Sequence, residues 1–67
     1  MKNNIKELRK KKQISQEELA RKCDVTRQTI NAIENNKYDP TLSLAFKLSI
    51  ILSTTVDCLF IFEEEDQ

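Results

Sequence analysis

Residues 15–35, SQEELARKCDVTRQTINAIEN, constrain the fold more than any other stretch of the chain. Ser15 and Glu18 form a capping-box pattern, which predicts that a helix begins here. Asp24 interrupts that helix, and Thr26 can cap a second one. Helices this short are marginal in isolation, so the two must pack against each other across a tight bend.

The second of these helices separates an apolar side from an amide-rich side. At about 100° per residue, Ile30 and Ile33 face inward together with Glu34. The outward side carries amides and one guanidinium but no carboxylate, namely Arg27, Gln28, Asn31 and Asn35. Such groups can bond the edges of adenine and guanine, whereas a solvated helix face typically carries Glu and Lys. An amide-rich surface helix and a major-groove recognition helix both fit the pattern, and we favour the second.

Caps and apolar spacing predict three further helices. They cover residues 4–12, 42–52 and 56–60, and Thr41 is the expected N-cap of the second. Apolar residues nearly encircle the second of these three, and we expect Phe46 to join the core. Residues 61–63 are predicted either to continue the last helix or, as we favour, to form a strand that pairs with residues 1–3.

Charged residues are distributed unevenly along a chain whose formal net charge is zero. Four of the eleven acidic residues lie at 63–66, so residues 1–62 hold seven acidic and eleven basic residues, an excess of four positive charges. A basic body suits a polyanionic partner, and residues 63–67 are predicted to form an acidic tail. A purely solubilising role for that tail is compatible with this interpretation.

Composition removes several classes of function. Histidine and glycine are both absent from the sequence, which leaves no visible catalytic pair and no phosphate-cradling loop, so we expect neither an enzyme nor a cofactor. Two cysteines without histidine make a metal site improbable. We expect Cys23 and Cys58 to be buried thiols in a reducing cytoplasm. The alternative is a disulfide between them. No stretch is apolar enough for a membrane span or a signal peptide, which predicts a soluble, cytoplasmic protein.

The pattern as a whole resembles the Cro/CI-type (Xre-like) helix-turn-helix repressors of bacteria and phages. The resemblance runs from about Ile5 to Phe60 and rests on ISQEELA at 14–20, VTRQTINAIENNKYDPTL at 25–42 and VDCLF at 56–60. It implies one all-α domain over residues 1–67, a five-helix lambda-repressor-like fold whose second and third helices form the helix-turn-helix, with a possible short C-terminal strand. Asn36 stands where the family usually has glycine, and it can supply the same left-handed turn at some cost. Cys23 replaces the usual Leu, Ala or Val, which should alter packing only.

Matched position by position, the resemblance assigns roles to individual side chains. The implied base readers are Arg27, Gln28 and Asn31. The implied phosphate contacts are Gln16, Thr26, Asn35, Lys37 and Tyr38. The resemblance also pairs Arg9 of the first helix with Glu34, and the residue pattern agrees, because an inward-facing carboxylate needs a cation beside it.

The function implied by the resemblance is transcriptional control, more often repression. A homodimer would set two recognition helices into successive major grooves of a pseudo-palindromic DNA operator, about 34–36 Å apart. An antitoxin of the same fold, which would also bind a toxin protein, is the main alternative. A protein-binding adaptor would not need a free amide face, and no small-molecule ligand or membrane partner is evident.

Apolar residues in the C-terminal third exceed what so small a monomer can enclose. Left in water they would form a contiguous apolar patch, which usually marks an interaction site, and a two-fold contact there would match a palindromic site. We therefore expect the homodimer interface to contain Ile50, Ile51, Leu59, Ile61 and Phe62. The alternative is an extended monomeric core with Phe62 folded inward.

Overall fold

Five helices and one two-stranded sheet make up residues 1–63, the part of the chain that the computed structural model describes. In chain order the elements are β1 (Lys2–Asn3), α1 (Ile5–Lys11), α2 (Gln16–Cys23), α3 (Arg27–Glu34), α4 (Leu42–Ile51), α5 (Val56–Leu59) and β2 (Phe60–Ile61). The predicted five-helix, all-α class is confirmed. Helices α1, α4 and α5 each end one residue earlier than the sequence pattern indicated. Of the predicted acidic tail, residues 64–67 lie outside the described residues.

Side-chain hydroxyls begin three of the helices. Each accepts a hydrogen bond from the backbone amide three residues further on, at 3.0 Å for Ser15, 3.2 Å for Thr26 and 3.2 Å for Thr41. Each bond satisfies one of the four amides that the first turn of a helix leaves without an intrahelical partner. Local sequence therefore determines where α2, α3 and α4 begin, as predicted.

Left-handed residues end the first four helices, although the chain contains no glycine. These residues, with φ between 56° and 62°, are Gln13, Asp24, Asn36 and Ser53. The amide of the residue after each one bonds a carbonyl five residues back, as Val25 N does to Ala20 O at 3.0 Å. This Schellman arrangement pairs the last carbonyls of the helix. The left-handed conformation raises the free energy of a residue with a Cβ by roughly 1–2 kcal/mol.

Glycine at two of these positions is expected to stabilise the domain. We expect Gln13→Gly and Ser53→Gly each to raise the free energy of unfolding by about 0.5–1 kcal/mol, because relief of the left-handed strain exceeds the extra entropy of the unfolded chain. Urea titration should show a higher midpoint at an unchanged slope. The matched control is Lys12→Gly, at a φ of −84°, which should destabilise. A loss of stability in both test variants would show that their side chains make contacts worth more than the strain.

The core takes residues from all five helices. Its buried members are Ile5, Leu19, Ala20, Cys23, Ile30, Ile33, Leu44, Leu48, Leu52 and Leu59. Beside it, β1 and β2 pair antiparallel, with Lys2 opposite Ile61 and Asn3 opposite Phe60. The predicted pairing of the two ends is thus confirmed, but the second strand begins at Phe60 rather than at residue 61. This sheet holds residues 60–61 against residues 2–3, which directly precede α1.

Two expectations about burial were wrong. Phe46 is 53% exposed, because α4 turns Leu44 and Leu48 into the core and Phe46 lies on the opposite side. Cys58 is exposed as well, because the four-residue helix α5 buries only Leu59. Cys23 is buried as expected, and burial raises the pKa of its thiol. Both cysteines are free, which removes the disulfide alternative.

Candidate functional site

Helices α2 and α3 pack as a helix-turn-helix. Their buried sides meet through residues such as Leu19 of α2 and Ile30 of α3, both fully inaccessible to solvent. The bend between them depends on Asp24, whose φ of 59° reverses the chain direction after α2. Because the apolar side of α3 is committed to this contact, its polar side is left on the surface.

The polar side of α3 brings the predicted base readers together. Arg27, Gln28 and Asn31 are all exposed, and with Gln16 of α2 they line one shallow surface depression. No carboxylate is among the residues that line it. The depression therefore offers amide and guanidinium groups, the chemistry that suits the edges of bases in a major groove.

Arg9 and Glu34 form a buried ion pair beneath this surface. Arg9 Nε donates to Glu34 Oε2 at 2.7 Å and Arg9 Nη2 donates to Oε1 at 3.2 Å, so the contact is bidentate. The side chains are only 11% and 3% exposed. Arg9 Nη1 also donates to Ile14 O at 2.9 Å. One guanidinium thus joins α1, the α1–α2 connection and α3.

A network of amides lies directly above that ion pair. Gln16 Nε2 donates to Glu34 Oε1 at 2.9 Å and to Asn31 Oδ1 at 3.3 Å. Asn35 Nδ2 donates to the same Oδ1 at 3.0 Å and to the backbone O of Asn31 at 2.8 Å. The side-chain donors of Gln16 and Asn35 are therefore in use within the protein. The phosphate contacts predicted for these two residues stay predictions, and either contact would have to replace one of these bonds.

The sequence pattern did not reveal this network. Helical periodicity places Gln16 on α2 and Asn31 on α3, but it says nothing about contacts between side chains of different helices. The only hint was the inward position of Glu34, which predicted a cation and left its other acceptor positions unassigned.

The remaining predicted phosphate contacts flank the exposed face of α3. Thr26 precedes the helix, where its Oγ1 caps the Thr29 amide and lies 3.0 Å from Thr29 Oγ1. Lys37 and Tyr38 follow the helix and are exposed. The loop that carries them is held by an ion pair between the Met1 ammonium and Asp39, at 2.9 Å.

Residues predicted for a dimer interface divide into two groups. Ile50 and Phe62 are 74% and 61% exposed, and Ile61 is also exposed. Ile51 is half-buried and packs against the core. Leu59 is fully buried in the core of its own chain, so its inclusion in the interface was wrong. The short helix α5 has one buried position, and Leu59 fills it.

The described part of the chain lacks two other kinds of feature. Residues 1–63 contain no cluster of three or more side chains suited to holding a metal ion. Within the same residues, no helix has both the length and the apolar character needed to cross a membrane.

Comparison with known proteins places this geometry among helix-turn-helix regulators. The family model described as helix-turn-helix matches residues 5–57. An uncharacterized HTH-type transcriptional regulator of Methanocaldococcus jannaschii is 46% identical over 66 residues, which cover 98% of this chain and 100% of that protein. The N-terminal DNA-binding domain of SinR from Bacillus subtilis is 33% identical, with a TM-score of 0.77 over 90% of this chain and 88% of that one. A chain of the SinR–SinI protein complex is 33% identical, with a TM-score of 0.78 over 94% of this chain and 62% of that one.

Proposed function

The chain belongs to the Cro/CI-type helix-turn-helix family of DNA-binding transcriptional regulators, and we propose that it is a repressor that binds a pseudo-palindromic operator as a homodimer. The observation that carries the proposal is the exposed side of α3, where Arg27, Gln28 and Asn31 lie together without a carboxylate. Each well-placed contact of such a group with a base edge discriminates against a wrong base by about 1–3 kcal/mol.

Contacts with the DNA backbone would orient α3 in the groove. Thr26 lies before the helix, and Lys37 and Tyr38 lie after it, so these residues bracket the reading face along the chain. Phosphate contacts of this kind position a protein on the duplex without specifying sequence. The excess of positive charge over residues 1–62 favours association with the polyanionic backbone of DNA.

Two copies of the chain would meet through the C-terminal surface formed by Ile50, Ile51, Ile61 and Phe62. Exposed apolar side chains there support the contact, since burying them removes apolar area from water. Binding to successive major grooves requires this two-fold contact to set the two α3 helices about 34–36 Å apart, one helical turn of DNA. Occupancy of such a site near a promoter would exclude RNA polymerase, which is why we favour repression.

A regulator that also binds a protein partner, as an antitoxin does, is the second candidate. The observation that favours it is an apolar stripe of Leu42, Phe46 and Ile50 on α4, which is exposed and extends beyond the proposed dimer contact. SinR, a structural relative, is found in a complex with SinI. A toxin-like reading frame beside the gene, whose product binds this chain and loses that binding in a Leu42→Glu variant, would establish the second candidate.

Base and phosphate contacts are expected to respond differently to substitution. We expect Gln28→Ala to weaken operator binding by about 1–3 kcal/mol and to relax preference at one base pair in each half-site. We expect Lys37→Ala to weaken binding to all duplexes similarly and to lower the slope of log affinity against log salt by about one. Binding-site selection on random duplexes, followed by titrations at several salt concentrations, measures both effects.

The two variants serve as controls for each other, because both positions are exposed and neither substitution removes a core contact. Equal operator affinity for the wild type and Gln28→Ala would contradict the role of Gln28. A loss in Lys37→Ala that is confined to one duplex sequence would contradict the phosphate assignment.

A further inference from the structure

We infer that Asn31 acts toward DNA only as a hydrogen-bond donor and therefore selects guanine rather than adenine at the base pair it contacts. The inference rests on the proposed function, that α3 reads a major groove. It revises what the amide side chain alone predicts, because an asparagine with both groups free pairs bidentately with adenine.

The carbonyl oxygen of Asn31 is already saturated within the protein. Gln16 Nε2 approaches Oδ1 at 3.3 Å and Asn35 Nδ2 approaches it at 3.0 Å, which uses both acceptor positions of that oxygen. Asn31 Nδ2, in contrast, donates no hydrogen bond to any residue in 1–63, and the side chain is exposed. The group left for a ligand is the NH₂.

The orientation of the amide follows from its neighbours. Exchanging Oδ1 and Nδ2 of Asn31 would set an N–H donor against the NH₂ groups of both Gln16 and Asn35, where no acceptor is present. Gln16 in turn is oriented by Glu34 Oε1 at 2.9 Å, and Glu34 is held by Arg9. Gln16 and Asn35 are thus positioning residues, and their orientation rests partly on a buried ion pair.

The chemistry of the base edges turns this orientation into a preference. Adenine presents an acceptor at N7 and a donor at N6, so a bidentate contact needs both groups of an amide. Guanine presents two acceptors, N7 and O6, which match two N–H bonds. Gln28 makes no side-chain hydrogen bond within residues 1–63, so it keeps both groups and can read adenine. The same face of α3 therefore carries two amides with different readout.

Selection on random duplexes with the wild type and Asn31→Ala identifies the base pair that Asn31 contacts. Titrations then use three duplexes that differ only there, carrying guanine, 7-deazaguanine or adenine. We expect the guanine duplex to bind the wild type about tenfold more tightly than the adenine duplex, within the range of one such contact. We expect 7-deazaguanine, which lacks the N7 acceptor, to bind more weakly than guanine.

Freeing the oxygen should change the preference. In the double variant Gln16→Ala with Asn35→Ala, the amide of Asn31 can present both groups, and we expect the guanine-to-adenine ratio of affinities to fall about tenfold, toward one. The matched control is Glu17→Ala, an exposed neighbour of Gln16 on α2 that makes no hydrogen bond to Asn31, and its ratio should equal that of the wild type. Circular dichroism and urea titration verify that each variant is folded.

Each outcome separates this inference from the function on which it rests. Preference for adenine by the wild type, or an unchanged ratio in a folded double variant, overturns the donor-only assignment while sequence-specific DNA binding stands. An Asn31→Ala variant with the base preference of the wild type would also overturn the donor-only assignment, and sequence-specific DNA binding would again stand. If the wild type selects no duplex at all, the proposed function fails. The wild-type measurement with 7-deazaguanine needs no variant, so an unfolded double variant leaves the inference testable.

Discussion

Arg9→Met is expected to lower the free energy of unfolding by about 3–5 kcal/mol, a large share of the stability of so small a domain. The substitution leaves the Glu34 carboxylate, 3% exposed, without its cation. It also removes the donor to Ile14 O at 2.9 Å. We expect Glu34→Gln to cost a comparable amount, because it leaves a buried guanidinium whose partner has lost its charge. Urea titration of both variants and of the double variant measures the three losses.

Coupling between the two positions distinguishes a buried pair from two independent contacts. We expect the double variant to lose much less than the sum of the single losses, because it leaves no charge unpaired. Lys2→Met is the matched control. Lys2 Nζ lies 2.9 Å from Glu63 Oε1, but the two side chains are 63% and 32% exposed. Because solvent screens such a pair, we expect this substitution to lower the free energy of unfolding by less than about 1 kcal/mol. Small, additive losses at Arg9 and Glu34 would show that the pair contributes little in solution.

Ile50→Glu combined with Phe62→Glu is expected to give folded monomers that bind a single half-site weakly. Both side chains are exposed, so the substitutions place charges in the proposed contact without opening the core. Losing the link between two half-sites removes an effective concentration of about millimolar, which should lower operator affinity about 100-fold or more. Sedimentation measures the oligomeric state, and titration of full and half operators measures the affinity.

Leu42→Glu is the matched control for this double variant. Leu42 is also an exposed apolar residue of α4, but it lies at the opposite end of the helix from Ile50, about 12 Å along the axis. We expect it to remain dimeric and to lose only the small affinity that one added negative charge costs. A wild type that sediments as a monomer at micromolar concentration, with or without operator, would contradict the proposed interface.

Interactions between residues a few positions apart in the chain were sufficient to predict the caps of three helices, one left-handed turn and the exposed side of α3. Ser15, Thr26 and Thr41 cap their helices as expected, because each hydroxyl needs only the amide three residues away. The left-handed turn predicted at Asn36 is present, with φ of 62°. The exposed side of α3 also followed from helical period, since Ile30 and Ile33 define the opposite side unambiguously.

Periodicity was insufficient where a helix carries two apolar stripes. The apolar residues of α4 nearly encircle it, and the pattern does not say which stripe the core accepts. Tertiary packing buried Leu44 and Leu48 in the core and left Phe46 exposed to solvent. The same competition for a small interior put Leu59 into the core and Cys58 at the surface.

Sequence by itself thus determined the order of the helices, the caps of α2, α3 and α4 and the composition of the exposed side of α3, because those properties depend on neighbours along the chain. Only the tertiary structure decided what the side chains on that face can offer a ligand. Gln16 on α2, Asn31 and Asn35 on α3, and the Arg9–Glu34 pair meet across three helices. A hydrogen bond depends on the positions of two atoms in space, and residues far apart in the chain acquire those positions only when the helices pack.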